Sequence, residues 1–472
     1  MKTFKGRDSY SKGVMQMTKT YVIDTNVLIQ APYALDCFED NHLVLPLVIL
    51  EELDALKKSD GERGANAREA IRYLEGLRTK GDLLKGIKTA GGGMLRIETN
   101  YVNMELPECM PDNKMDNRIL KVCKGLMEKG DKIILVTKDI LLRIKAQMLH
   151  IPAEDFIKEQ VPEGHEQYTG RSEVYVPEEL FKEFKKKGIL ASEVYQLDEK
   201  EQPEKVELVE NEFLVLKADQ SSKKTHLGRV CGEKIVPLVY RKSKPYGVSP
   251  RNAGQYFLQE ALMESSDKVP LVIVKGMAGT AKTFYSLAVG LEKTMNSKEN
   301  CYRRILVTRP NAQFDSDIGF LPGNEQEKIS PLMRPIVDNL EQLIDSSEED
   351  RYKDEKALSG KVEEIFDRGI IVAEAMNFIR GRSFVQTYLI IDEAQNMTPK
   401  QIKGIITRAG KGTKVILLGD TNQIDTPFLD ERTNGLSYAS EHMKGSPLCY
   451  QITLSAEECE RSQLALDAVK RM

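Results

Sequence analysis

Residues 271–283 run Leu-Val-Ile-Val-Lys-Gly-Met-Ala-Gly-Thr-Ala-Lys-Thr. A short apolar, β-branched run of this kind predicts a buried strand ending at Gly276, followed by a tight loop and a helix opening on Lys282 and Thr283. Strand, glycine-containing turn and Lys-Thr helix start are the grammar of a phosphate-binding loop. The backbone N–H groups of Gly276, Met277, Ala278, Gly279, Thr280 and Ala281 are placed to cradle a β-phosphate, helped by the positive end of the helix. Lys282 then reaches the β- and γ-phosphates of ATP, and the Thr283 hydroxyl holds Mg²⁺. One position departs from the pattern: Ala281 stands where glycine is expected before the lysine. Alanine is compatible with the loop if its φ stays negative.

Two later strands supply what such a loop requires. Thr387-Tyr-Leu-Ile-Ile-Asp-Glu-Ala-Gln is an apolar run ending in Asp392 and Glu393. One carboxylate can serve Mg²⁺ and the next can polarise the attacking water. Lys414-Val-Ile-Leu-Leu-Gly-Asp-Thr-Asn-Gln ends in Asp420 and Gln423, and Gln423 is a candidate γ-phosphate sensor. Arg304-Ile-Leu-Val-Thr-Arg-Pro is a further strand whose terminal Thr308 and Arg309 are types that contact nucleic acid phosphate or sugar.

The N-terminal third repeats the alternation of strand and helix. Thr20-Tyr-Val-Ile-Asp, Leu43-Val-Leu-Pro and Lys132-Ile-Ile-Leu-Val-Thr-Lys-Asp read as strands, and Met115–Lys129 reads as a helix. Alternation of this kind predicts a parallel α/β sheet, whose ligand sites lie at the carboxyl ends of the strands. Asp24 and Asp139 fall at such ends, while Glu52 and Asp116 fall near helix starts. Like charges raise one another's pKa, so gathered carboxylates call for a cation, and oxygen ligands suit Mg²⁺ or Mn²⁺. The spacing fits equally well with acids that only cap helices.

Composition sets outer bounds. The chain has 472 residues, enough for two or three domains, and its net charge of −4 gives no global basic field for a polyanion. The seven cysteines form no C-x-x-C pair, which argues against zinc and a disulfide framework and points to a reducing cytoplasm. No apolar run approaches a membrane span, so a cytoplasmic location is expected. Between about 165 and 245, short β-like pieces (Glu173–Val176, Asn211–Leu216, Lys234–Tyr240) punctuated by prolines predict a small β-rich domain. The run Phe181-Lys-Glu-Phe-Lys-Lys-Lys reads as a solvated helix face, and the acidic run from Asp198 to Glu210 reads as a surface loop.

Residues 20–152 resemble a PIN domain, a nuclease fold, through Val22-Ile-Asp-Thr-Asn-Val-Leu, Leu50-Glu-Glu-Leu-Asp, Asp116-Asn-Arg-Ile-Leu and Leu135-Val-Thr-Lys-Asp. The resemblance implies Asp24, Glu52, Asp116 and Asp139 as the acids of a Mg²⁺- or Mn²⁺-dependent ribonuclease, with Glu51 as the register-shifted competitor of Glu52. Asp392-Glu-Ala-Gln and Gly419-Asp-Thr-Asn-Gln resemble motifs of superfamily-one helicases. Together with Gly319-Phe-Leu-Pro-Gly and Arg380-Gly-Arg-Ser-Phe they are more similar to the PhoH family. By that resemblance Gln255 reads adenine. The family carries one ATPase core, so a ring is implied, a homo-oligomer resembling a hexamer, with an arginine supplied in trans. Arg380, Arg382 and Arg461 are its candidates.

The expected architecture is therefore α/β in three parts. A disordered lead-in (1–18) precedes a PIN-like parallel-sheet domain (19–152). A linker and small β-rich domain (153–250) then leads to a RecA-like P-loop NTPase (251–472). The expected activity is ATP-driven translocation on, or unwinding of, single-stranded RNA, joined to metal-dependent cleavage. The rival expectation is an RNA-binding or nucleotide-sensing ATPase scaffold whose PIN domain is regulatory.

Overall fold

The computed structural model describes residues 19–459, apart from 33, 39, 60, 90–91, 112, 157–160, 163–166, 199–200, 220, 297–300, 311–324, 348–354, 375, 380–381 and 427–428. The expected lead-in 1–18, the Gly319–Gly323 motif, Arg380 and Arg461 lie outside the described residues. Two compact units divide the chain, residues 1–159 and 160–472.

The N-terminal unit is built on a six-stranded sheet. Its order is Ile87–Lys88, Met94–Glu98, His42–Pro46, Thr20–Ile23, Ile133–Val136, Ala153–Glu154. All neighbours are parallel except the first pair. Both faces are covered, so the central strands are nearly continuous apolar runs rather than alternating. Val22, Ile23, Leu43, Val44, Leu45, Leu135 and Val136 are all buried. Helices Leu47–Leu56, Gly61–Arg78 and Met115–Glu128 supply much of the remaining core.

The C-terminal unit carries two sheets. One is entirely parallel, in the order Ile371–Ala373, Arg304–Thr308, Thr387–Ile391, Lys414–Gly419, Leu271–Gly276, Cys449–Leu454. The strand Lys414–Gly419 thus separates the phosphate-loop strand from the Asp-Glu strand. Side chains alternate between two cores. Val272, Val274, Ile305, Val307, Ile390, Ile416 and Leu418 face helices Ala253–Met263, Lys282–Leu291 and Glu325–Ser347. Leu271, Ile273, Leu306, Leu389, Ile391, Val415 and Leu417 face helices Pro399–Ile406 and Gly435–His442. The α/β class expected from the alternation is observed.

The second sheet has seven strands, in the order Pro203–Lys205, Tyr195–Leu197, Arg171–Val176, Phe213–Ala218, Ser221–Cys231, Lys234–Pro237, Ile189–Leu190. Its strand Phe213–Ala218 splits by period two. Leu214, Leu216 and Ala218 pack with Phe181 and Phe184 of helix Glu178–Lys187. Phe213 and Val215 enter the core of the parallel sheet, where the Phe213 ring lies tilted 5.0 Å from Phe257 and edge-on 5.5 Å from Tyr450. The β-rich segment is therefore mounted on the parallel sheet within one compact unit. The aromatic residues of the lysine-rich helix point inward and its lysines outward, as an amphipathic surface helix requires. The acidic run is not entirely loop, since Pro203–Lys205 adds an exposed edge strand. Among the described residues no helix is long and apolar enough to cross a membrane.

Candidate active sites

The phosphate loop closes on itself. Thr280 Oγ1 donates to the Met277 carbonyl at 2.7 Å, and Lys282 Nζ donates to the carbonyls of Gly276 at 2.5 Å and Met277 at 2.9 Å. Gly276 cannot carry a side chain, because a Cβ there would lie 2.9 Å from that of Leu454. Gly279 is left-handed at φ 85°. Ala281 overturns the expectation of a negative φ: it caps the helix at φ 62°, ψ 23°. The loop adopts the path that glycine would take, and alanine bears a strain of about 1–2 kcal/mol for doing so.

The acids of the next strands converge on this loop. Thr283 Oγ1 donates to Asp392 Oδ1 at 3.2 Å. A hydroxyl beside a buried carboxylate is the donor set that Mg²⁺ takes together with water and phosphate oxygens, so these residues fit the ion. Burial, reinforced by the adjacent Glu393, pushes the Asp392 carboxyl up, while Arg309, the Thr283 hydroxyl and Lys282 pull it down. Burial likewise lowers the Lys282 ammonium, against the attraction of Asp420, Asp392 and Glu393. Asp420 Oδ2 accepts from the Ala278 N–H at 3.2 Å, and Cys459 Sγ meets the Ala278 carbonyl at 3.5 Å.

Sequence reasoning left three groups of this site without their observed partners. Arg309 Nη2 donates to Glu393 Oε1 at 2.7 Å, and its Nε lies 3.6 Å from Asp392 Oδ2. Gln395 Nε2 donates to Glu393 Oε2 at 2.6 Å and to the Gln423 carbonyl at 2.8 Å, while its Oε1 accepts from the Asp420 N–H at 3.1 Å. Gln423 thus joins the site through its backbone. Gln395 belongs to the Asp-Glu-Ala-Gln motif, which was the available signal. The Arg309 pair joins residues far apart in sequence and left none.

Gln255 is buried on helix Ala253–Met263, and its Oε1 accepts from the Arg251 N–H at 2.9 Å and from the Tyr285 hydroxyl at 3.3 Å. Tyr285 stands one turn into the phosphate-loop helix, so this glutamine adjoins the loop's own helix. Arg382 Nη1 is paired with Glu374 Oε2 at 2.6 Å.

In the N-terminal unit, Asp24 follows the strand Thr20–Ile23 and caps the helix Thr25–Gln30. Its Oδ1 accepts from the Thr25 N–H at 2.6 Å and its Oδ2 from the Thr137 hydroxyl at 2.6 Å. Glu52 accepts from the Thr25 hydroxyl. Burial, reinforced by the charges of Glu52 and Asp116, pushes the Asp24 carboxyl up to about 6 against the hydrogen bonds from Thr137 and Thr25. Glu51 turns outward and pairs with Arg118 at 2.7 Å. Asp116 receives Lys145 Nζ at 2.7 Å, and Asp139 caps helix Ile140–Met148 by accepting from the Leu141 and Leu142 N–H groups. Asp24 therefore feels the charges of Glu52 and Asp116, while Asp139 acts as a cap. Among the described residues, no three His, Cys, Asp or Glu side chains gather closely enough to hold a metal. The donor chemistry, all oxygen with one carboxyl reluctant to ionise, suits a hard divalent cation.

Thr137 was not expected at this site. Besides donating to Asp24, it accepts from Asn26 Nδ2 at 3.2 Å and from the Asp139 N–H at 3.0 Å, tying two of the sequence motifs together.

Comparison with known proteins follows the same division. The family model described as PIN domain matches residues 21–157, and that described as PhoH-like protein matches residues 247–472. Protein PhoH2 of Bacillus subtilis is 37% identical over 462 residues, covering 96% of this chain and 100% of its own. Protein PhoH2 of Thermobispora bispora is 32% identical, covering 95% of each chain. Protein PhoH2 of Mycolicibacterium smegmatis is 31% identical, covering 95% of this chain and 96% of its own.

Proposed function

The chain belongs to the family of PhoH2 proteins, a PIN domain fused to a PhoH-like ATPase domain, and on that premise we propose that it hydrolyses ATP to translocate on or unwind RNA, which its PIN domain cleaves. The observation that carries the ATPase half is the convergence of Lys282, Thr283, Asp392 and Glu393 from two strand ends. Lys282 and the loop N–H groups bind and orient the β- and γ-phosphates. Glu393 accepts the proton of the attacking water, and Gln395 aims it. Thr283 and Asp392 would hold Mg²⁺, which supplies charge neutralisation between the phosphates.

For the PIN half, the raised Asp24 carboxyl beside Glu52 and Asp116 supports a site completed by Mg²⁺ or Mn²⁺. Such an ion supplies an activated water and stabilises the developing charge of a phosphodiester displacement. A second reading, in which the PIN domain binds or regulates without cutting, is favoured by one specific observation. Asp139 and Asp116 already have partners, in the N–H groups of its own helix and in Lys145.

One ATPase core per chain supports a homo-oligomeric ring, resembling a hexamer, with an arginine reaching the neighbouring site. The decisive assay measures phosphate release with and without single-stranded RNA, cleavage of that RNA with Mg²⁺ or Mn²⁺, and assembly size by sedimentation with ATP. RNA-stimulated ATPase in a ring and metal-dependent cleavage are expected. ATPase indifferent to RNA sinks the motor, an active monomer sinks the ring, and intact RNA under Mn²⁺ leaves the PIN domain as a regulator.

A further inference from the structure

Glu393 is the natural base for ATP hydrolysis, yet in this arrangement each of its oxygens already accepts a hydrogen bond. Oε1 accepts from Arg309 Nη2 at 2.7 Å and Oε2 accepts from Gln395 Nε2 at 2.6 Å. The contact with Arg309 is a charge-assisted hydrogen bond, the strong kind, so the guanidinium competes with an attacking water for that oxygen.

Arg309 is placed to exchange this partner for another. It follows the strand Arg304–Thr308, at the carboxyl edge of the parallel sheet where ligands approach. Its side chain is 22% exposed, so solutes can reach the guanidinium. Its Nε is buried and makes no hydrogen bond among the described residues, so the fork is incompletely used. A guanidinium binds phosphate as readily as carboxylate, and with the same two-pronged geometry. A nucleic acid backbone presents such phosphates at high local density.

We propose that Arg309 is a latch on Glu393: it holds the glutamate in an ion pair until a backbone phosphate of single-stranded RNA takes the guanidinium, and RNA binding thereby licenses ATP hydrolysis. Arg309 is a positioning residue in this scheme. Once released, Glu393 takes a proton from the water whose oxygen bonds to the γ-phosphorus. The bond from that phosphorus to the β,γ-bridging oxygen breaks, its electron pair leaves with ADP, and inorganic phosphate is the second product. Gln395 carries the change onward, because it also holds the Gln423 carbonyl and the Asp420 N–H, and Asp420 holds the phosphate loop at Ala278.

The proposal rests on the ATPase reading above, and its test separates the two. In the full-length chain, R309Q is expected to raise ATP hydrolysis without RNA at least about fivefold, the low end of ordinary coupling between sites. Adding oligouridylate should then give little further rise, whereas wild type is stimulated. E393Q in the R309Q background should abolish the gain, showing that it passes through Glu393. A fluorescent ATP analogue should bind R309Q as it binds wild type, which establishes an intact site. R309K, a cation without the planar fork, should fall between the two. Basal hydrolysis at or below wild type in R309Q that still binds nucleotide overturns the latch, and so does undiminished stimulation by RNA. Should R309Q fail to bind nucleotide, R309K at or below the wild-type basal rate overturns it equally. A wild type with no ATPase under any condition removes the underlying reading instead.

Discussion

The two acid sites of this chain occupy equivalent places, at the carboxyl ends of parallel strands, and are neutralised by opposite means. Around Asp392 and Glu393 the protein supplies its own cations: Lys282 on one side and Arg309 on the other. To Asp24 it supplies only hydrogen bonds, from the Thr25 N–H and the Thr137 hydroxyl, adds the like charges of Glu52 and Asp116, and pairs Lys145 with Asp116. The first arrangement is electrically closed and needs a polyanion to open it. The second leaves one carboxyl reluctant to ionise and gains most from a cation brought from solution. On the proposals made above, an anionic partner opens the first site and a metal completes the second.

The largest expected effect tests the closed site. Lys282→Ala removes the cation that orients the β- and γ-phosphates. Phosphate release should fall about 10²–10³-fold, the scale of losing one preorganised charge-stabilising donor. Mn²⁺-dependent cleavage of single-stranded RNA should survive in the same variant, since its acids lie in the other unit. Near-normal ATPase in Lys282→Ala would break the comparison at its first term.

Asp24→Asn tests the open site, in two directions at once. RNA cleavage should fall by about 10²-fold or more if the carboxylate serves a metal-activated water. Stability should move the other way. A carboxyl raised from 3.8 to about 6 in the folded state costs stability when it ionises. The cost is absent below the unfolded pKa, grows between pH 4 and 6, and is complete above about 6. It amounts to about 3 kcal/mol, from which the lost Thr137 hydrogen bond subtracts about 1 kcal/mol. In EDTA, Asp24→Asn should therefore out-melt wild type at pH 7 and lose that advantage below pH 4. Adding Mn²⁺ should narrow the gap, because only wild type gains from binding the ion. A gap that ignores both pH and Mn²⁺ would mean the site is not waiting for a cation.

A smaller effect sharpens the register within the open site. Glu52 accepts from the Thr25 hydroxyl beside Asp24, and Glu51 pairs with Arg118 at the surface. Glu52→Gln should lower cleavage about 10–100-fold, the scale on which groups around a metal site act. Glu51→Gln should change it by less than about twofold, as expected for an exposed ion pair. The reverse ranking, read from initial cleavage rates, would shift the motif by one residue.

How much of this was legible in the sequence follows from which forces set each feature. Buried parallel strands are continuous apolar runs, so Thr20–Ile23, Leu271–Gly276, Thr387–Ile391 and Lys414–Gly419 announced themselves, and their terminal acids came with them. The mounting of the β-rich segment did not. Its longest strand, Ser221–Cys231, is largely polar, and the alternation of Phe213 and Val215 against Leu214 and Leu216 says that two faces are buried without saying against what. The Arg309–Glu393 pair was hidden for a similar reason, because it joins strand ends whose adjacency only the sheet order reveals. Thr137 escaped notice because a threonine after a strand carries no charge to mark it.

The smallest effect concerns the one departure from the phosphate-loop pattern. Ala281 at φ 62° occupies backbone space where a Cβ crowds the following carbonyl, at about 1–2 kcal/mol. Glycine there would relieve that strain but lose about 0.5–1 kcal/mol more chain entropy on folding. Ala281→Gly should thus stabilise the C-terminal unit by about 0.5 kcal/mol, raising its melting temperature by about 1–2 °C. Ala281→Val, β-branched in left-handed backbone, should destabilise by more than the glycine variant gains. Melting both variants without nucleotide separates backbone strain from ligand contacts. A loss of stability in Ala281→Gly would place the residue outside the left-handed region. The expected gain would mean that the closed site fixes its phosphate cradle by packing, through Leu454 against Gly276 and Asp420 against Ala278, firmly enough to hold an alanine where glycine fits better.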